Sequence, residues 1–90
     1  MTDLKIENNR GSSRFEIMAN GKLAWLDYRV EPGTIFLLYV EVPPEEEGRG
    51  IGSSLAVAVL EFARDQGLRV VPLCPFIAAY MRKHPDLVVK

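Results

Sequence analysis

The sequence holds a single cysteine, Cys74, and a single histidine, His84. An internal disulfide needs two cysteines and a closed Cys/His zinc site needs more ligands than these two, so metal chemistry is not expected and a reduced compartment is. A surplus of charge is also missing: eleven Lys and Arg face twelve Asp and Glu, for a formal net charge of −1. No basic block or stripe tracks a phosphate backbone, which argues against nucleic acid as a partner. No apolar run approaches the roughly 20 residues of a membrane span. The opening Met1-Thr2-Asp3 lacks the positive and apolar regions of a signal peptide, so no membrane partner is expected and a cytoplasmic location is. Repeats, low-complexity stretches and linkers are absent too. Ninety residues leave room for one domain over 1–90, and so short a chain buries a modest core, which leaves a monomer or a weak homodimer as the expected states.

What is present reads as a sequence of short elements. Leu4-Lys5-Ile6-Glu7 and Phe15-Glu16-Ile17 alternate apolar with polar, as half-buried strands do. Asn20-Gly21 separates the second from Lys22 to Val30, and both residues tolerate the positive φ of a tight hairpin. Pro32-Gly33 makes a second turn into Ile35 to Val42, an almost wholly apolar run expected to be a central strand covered on both faces. Pro43-Pro44 ends it. Ile51, Leu55, Val59 and Phe62 then fall at helical spacing, and Asp65-Gln66-Gly67 stops that helix. Leu68 to Leu73 reads as a strand parallel to the central one, since a helix separates them. Pro75 suits the first turn of a last helix through Phe76, Ile77, Ala79, Tyr80 and Met81, which His84-Pro85 ends. Leu87-Val88-Val89 could add a little strand. The fold class is α+β: an antiparallel meander of four strands, a principal helix, a parallel strand and a C-terminal helix.

The stretch Glu45-Glu46-Glu47-Gly48-Arg49-Gly50-Ile51-Gly52 lies where the meander enters the principal helix. Crevices outside the carboxyl ends of parallel strands favour ligands. Amides of a helix N-terminus carry about half a positive charge, and glycines let them converge on an anion. Arg49 could add a charge-assisted bond and Ser53 a hydroxyl. An ordinary glycine-rich helix entry has the same signature, and no Lys-Ser or Lys-Thr follows the glycines as in a P-loop.

Val42-Pro43 followed by Gly48-Arg49-Gly50-Ile51-Gly52-Ser53-Ser54-Leu55 resembles the acyl-CoA loop of the GNAT N-acetyltransferases. Val70-Val71-Pro72-Leu73-Cys74-Pro75-Phe76, Tyr80 and His84-Pro85 resemble the small YjdJ-type branch of that superfamily. The likeness runs from Phe15 onward. It implies a minimal GNAT fold, with the pyrophosphate of acetyl-CoA held by Gly48, Arg49, Gly50, Ile51, Gly52 and Ser53, and pantetheine along the backbone of Val40, Glu41 and Val42. The helices that close over the acceptor in larger relatives have no counterpart. Two positions depart from the pattern, Glu47 where Arg or Gln is common and Tyr39 where the small branch often has His. Glu45 to Glu47 are expected to form a solvated rim, softened by screening over a Debye length of about 8 Å.

Three residues are the catalytic candidates. Cys74, expected beside the first turn of the last helix, suits transient acyl transfer or a place beside the thioester, or else a small buried hydrophobe. The resemblance makes Tyr80 a proton donor to the leaving thiolate, against the plainer reading of a packed aromatic. Glu41 suits a general base if it faces the cleft. His84 is read as structural, as are Trp25 and Tyr28. The expected function is an N-acetyltransferase that binds acetyl-CoA and passes acetyl to a small-molecule or protein amine, directly or through Cys74. The alternative is a non-catalytic CoA-binding or protein-interaction module on the same fold.

Overall fold

The computed structural model describes residues 5–87. One sheet holds five strands in sequence order, β1 (Ile6–Asn9), β2 (Arg14–Ala19), β3 (Lys22–Glu31), β4 (Thr34–Glu41) and β5 (Arg69–Pro72). The first four pair antiparallel and β4 pairs with β5 in parallel. Between them runs α1 (Ile51–Asp65), and α2 (Pro75–Lys83) follows β5. No helix among the described residues is long and apolar enough to cross a membrane.

Local chemistry sets the meander. Asn20 and Gly21 take φ of 52° and 76°, joining β2 to β3 by a two-residue turn in the left-handed region, where Asn and Gly are least strained. Gly33 takes φ 76° after Pro32, so β4 folds back at once with Glu31 opposite Thr34. At the end of α1 the Leu68 amide donates to the Ala63 carbonyl at 2.8 Å across left-handed Gly67, a helix stop that turns the chain toward β5. The Arg69 amide then donates to the Gly33 carbonyl at 2.9 Å and starts the parallel pairing.

The core lies between the sheet and the helices. Ile17, Leu26, Ile35 and Leu37 meet Ile51, Leu55, Val59 and Leu60 of α1 and Ile77 of α2, all fully buried. Each such side chain contributes about 1.5–3 kcal/mol of burial. Phe15, Tyr28 and Phe62 close one end with ring centroids 5.6–6.0 Å apart.

The opposite sheet face has no helix over it among the described residues, and this corrects the expectation of a strand covered on both sides. Only Ile35 and Leu37 of β4 are buried, whereas Leu38 and Tyr39 are exposed. Arg14 lies over Trp25 and Arg29 over Phe36, each guanidinium 4.8 Å from the ring centroid, so cations shield part of that face. Residues 85–87 form a short 3-10 turn in place of the suggested strand; Val88 and Val89 lie outside the described residues, as does Leu4 at the start.

Candidate functional site

The parallel ladder stops abruptly. Leu37 pairs with Pro72 as its last rung, and the Leu37 carbonyl accepts from the amides of both Leu73, at 2.9 Å, and Cys74, at 3.1 Å. Pro75 then offers no amide, and α2 leads the chain away. β4 continues to Glu41, paired among the described residues with β3 alone. Its register also changes here: Tyr28 faces Leu37 but Asp27 faces Tyr39, which leaves Leu38 as the extra residue of a bulge. Bulges bend the strand that carries them and recur beside active sites. The result is a wedge whose β4 side has a backbone edge unpaired among the described residues.

The chain closes the mouth of this wedge. A 3-10 turn at Pro44–Glu46 is followed by extended Glu47 and by Gly48 and Gly50 at φ 84° and 80°. Gly50 is the N-cap of α1 and no side chain caps the helix. The first intrahelical bond runs from the Ser54 amide to the Gly50 carbonyl, at 2.9 Å, so the amides of Ile51, Gly52 and Ser53 have no intrahelical partner. A cleft of about 470 Å³ lies against them, lined by Val40 and Val42, Glu46 to Gly48, Gly50 to Ser53, and Phe76. Uncapped amides, left-handed glycines and a strand edge meet in one cleft, a cradle whose donors can take an anion.

Seven of the nine expected cofactor residues therefore come together: Val40, Val42, Gly48, Gly50, Ile51, Gly52 and Ser53. Glu41 does not line the cleft, because it alternates with Val40 and Val42 along the strand. It accepts the Tyr39 hydroxyl proton in a hydrogen bond beside Asp27 and Trp25 on the open sheet face. That bond, then the Glu41 charge itself, raises the Tyr39 hydroxyl above its ordinary value. Arg49 is also outside the lining; its Nη1 donates to Glu46 Oε1 at 3.3 Å.

The glutamates are not one solvated rim. Glu46 is only 5% exposed, and both of its oxygens accept from Asn20 Nδ2 at 3.1 Å. Its carboxylate ties the cradle to the β2–β3 turn, where Asn20 is already held in the left-handed region. Glu45 is exposed and pairs with Lys22, which holds its carboxyl below the ordinary glutamate value. Glu47 lines the cleft and points to solvent.

Cys74 sits between β5 and α2 as the N-cap residue of that helix, 8% exposed, with its amide on the Leu37 carbonyl. Tyr80 is half-buried on α2 and outside the cleft lining. Its ring stacks between Phe76, at 6.5 Å, and His84, at 4.2 Å. Phe76, one turn earlier, is the aromatic wall of the cleft, and an ideal Cβ on Gly52 would meet its Cζ at 3.0 Å. Phe76 and the Asn20–Glu46 bond were missed as site features. Pro72 to Phe76 marks the place of the first, but no sequence spacing links residues 20 and 46.

Comparison with known proteins agrees with this geometry. The sequence model of the GCN5-related N-acetyl-transferase family matches residues 14–89. Protein NATD1 of Xenopus tropicalis is 29% identical over 87 residues, covering 93% of this chain and 80% of that protein. Protein NATD1 of Danio rerio is 30% identical over 87 residues, covering 93% and 79%. The NMR solution structure of a GCN5-like protein from Staphylococcus aureus superposes with a TM-score of 0.74 at 31% identity, covering 97% of this chain and 86% of that one.

Proposed function

We propose, from the premise that this chain belongs to the GCN5-related N-acetyltransferase family, that it binds acetyl-CoA in the β4–β5 cleft and passes acetyl to an amine. The observation that carries this reading is the wedge itself: a β4 edge, unpaired among the described residues from the Leu38 bulge onward, ending against uncapped amides at Ile51 to Ser53. Acetyl-CoA supplies an acyl group activated as a thioester. Val40 and Val42 flank the pantetheine arm, Gly48 to Ser53 hold the phosphates, and Phe76 excludes water from one wall. Arg49 joins them by turning from Glu46 toward a bound phosphate.

The amine, from a small molecule or an exposed protein residue, enters the cleft from solvent and gives up its proton to water; Glu41 is not the base, because its carboxylate is held by the Tyr39 hydroxyl on the open sheet face, away from the cleft. The amine nitrogen bonds to the acyl carbon as the carbon–sulfur bond breaks, and Tyr80 gives the departing sulfur a proton. Cys74 lies where β5 turns into α2 and offers a second route, taking the acyl group on its sulfur before the amine does. A free thiol suits the reduced cytoplasm.

Amine-dependent release of CoA thiol from acetyl-CoA tests this reading, with Cys74→Ser separating the two routes. One feature favours a binding module instead: among the described residues the cleft lining contains Glu46 and Glu47 and no cationic side chain. Saturable acetyl-CoA binding with no thiol release across a panel of primary amines would establish the module and sink the transferase.

A further inference from the structure

A second cleft, of about 370 Å³, lies at the far end of the sheet, between the β1–β2 turn, the last residues of β3 and the end of α1. Its size is that of a small-molecule site. Tyr28 and Phe62 give it an aromatic surface, with ring centroids 6.0 Å apart, and Val30 and Leu68 add aliphatic area. The Tyr28 hydroxyl donates to Asn8 Oδ1 at 2.6 Å, and its amide donates to the Ser13 carbonyl at 2.9 Å. These two bonds fix that surface before any ligand arrives.

The polar groups of the cleft are donors in search of an acceptor. The Arg10 guanidinium stands 5.4 Å from the Phe62 ring centroid and makes no ion pair among the described residues. The side chains of Ser13 and Gln66, also in the lining, make no hydrogen bond among those residues. Arg29 lines the cleft as well, but its guanidinium lies over Phe36 on the open sheet face and pairs with Glu31. No carboxylate among the described residues lines the cleft. Nearby in the chain, Asp27 is tied to Arg14, and Asp65 is outnumbered by Arg64 and Arg69. The helix end offers a cation little, because the carbonyls of Phe62, Ala63 and Arg64 already accept from the amides of Gln66, Leu68 and Gly67.

We infer that this cleft is a binding site for a small monocarboxylate with an aromatic or branched apolar body. The carboxylate accepts from Arg10, whose planar fork matches its two oxygens, and the body packs on Tyr28, Phe62 and Leu68. Ser13 and Gln66 supply donors for the lone pairs that Arg10 leaves free. Charge and apolar area are both required, so a bare anion and an uncharged ring each satisfy half of the site. The inference goes beyond the acyl-CoA reading and stands apart from it, because the two clefts share no lining residue.

Amide NMR titration of the full chain with phenylacetate, phenylacetamide and phenethylamine tests it, since the three probes share a shape and carry a negative, no and a positive charge. Phenylacetate is expected to shift Arg10, Ser13, Phe62, Gln66 and Leu68 with a dissociation constant of about 0.2–5 mM, in the range of a ligand of that size. The amide is expected to bind about fivefold or more weakly, and the amine more weakly still. Arg10→Met keeps an apolar stem over Phe62 and removes the charge, so acid and amide should then bind alike. Arg10→Lys, which keeps the charge, should retain the preference for the acid. Both changes are at an exposed position, and an unchanged spectrum elsewhere verifies the fold. No saturable shift by phenylacetate at about 20 mM would overturn the inference. So would amine binding as tight as that of the acid, a preference for the acid that survives in Arg10→Met, or shifts centred on Val40 to Ser53 instead.

Discussion

Phe76 stands so close to Gly52 that a Cβ at residue 52 would meet its Cζ at 3.0 Å. The glycine thus serves a packing contact between the two helices as well as an amide in the cradle. Gly52 is helical, so alanine there gains about 0.8–1 kcal/mol of helix propensity, which offsets the crowding. Gly52→Ala is expected to change stability by less than about 1 kcal/mol while weakening acetyl-CoA binding about tenfold, because the displaced ring narrows the cleft. In a Phe76→Ala background the same substitution should cost little further affinity. Equal losses in both backgrounds, measured as a double-mutant cycle, would show that the ring is not the obstacle.

Asn20 and Glu46, 26 residues apart, hold the cradle to the hairpin. Asn20→Asp keeps the left-handed turn accessible but sets a carboxylate against a buried carboxylate, at an expected cost of about 1–3 kcal/mol at pH 7. The folded variant then holds one carboxyl proton more firmly than the unfolded chain does, so its deficit shrinks as pH falls through that raised value. Urea denaturation of Asn20→Asp and of Asn20→Gly at several pH values separates charge from the lost bond. A deficit in Asn20→Asp that does not shrink in acid would contradict the account.

Lys22 holds Glu45 ionised. The folded state lowers this carboxyl below its ordinary 4.5, so the pair's contribution is present above that value and is lost as pH falls through the lowered one. Carboxyl NMR titration should place the Glu45 midpoint below 4.5 and return it toward 4.5 in Lys22→Met. An unmoved midpoint would mean that the exposed pair does not persist in solution.

Cys74 is close to fully buried. Its thiol is therefore expected to react with iodoacetamide at least about tenfold more slowly in the folded protein than in urea, and more slowly again with acetyl-CoA bound. Fast labelling unaffected by ligand would remove Cys74 from the site.

Where neighbouring residues decide the structure, the sequence was readable. Alternating residues in β2, the Asn20-Gly21 and Pro32-Gly33 turns, the helical spacing from Ile51 and the Pro75 helix start all lie where their local chemistry places them. Membership of the GNAT family was legible in the glycine loop and in Pro72 to Phe76. The apolar run Ile35 to Val42 misled because one run contains two signals: buried Ile35 and Leu37, then a bulge at Leu38 that shifts the alternation. Glu46 looked like Glu45 and Glu47 because its distinguishing partner comes from a distant turn. Glu41 could not be assigned a direction before that bulge was known.

The central claim is that the β4–β5 wedge and the amides of α1 together hold the donor. Amide NMR of uniformly labelled protein during titration with acetyl-CoA tests it most directly. The account predicts saturable shifts concentrated at Val40, Val42, Gly48 and Gly50 to Ser53, with smaller changes at Phe76 and Cys74. Absence of saturable shifts at millimolar ligand, or shifts centred instead on the cleft between Arg10, Tyr28 and Phe62 at the far end of the sheet, would contradict it.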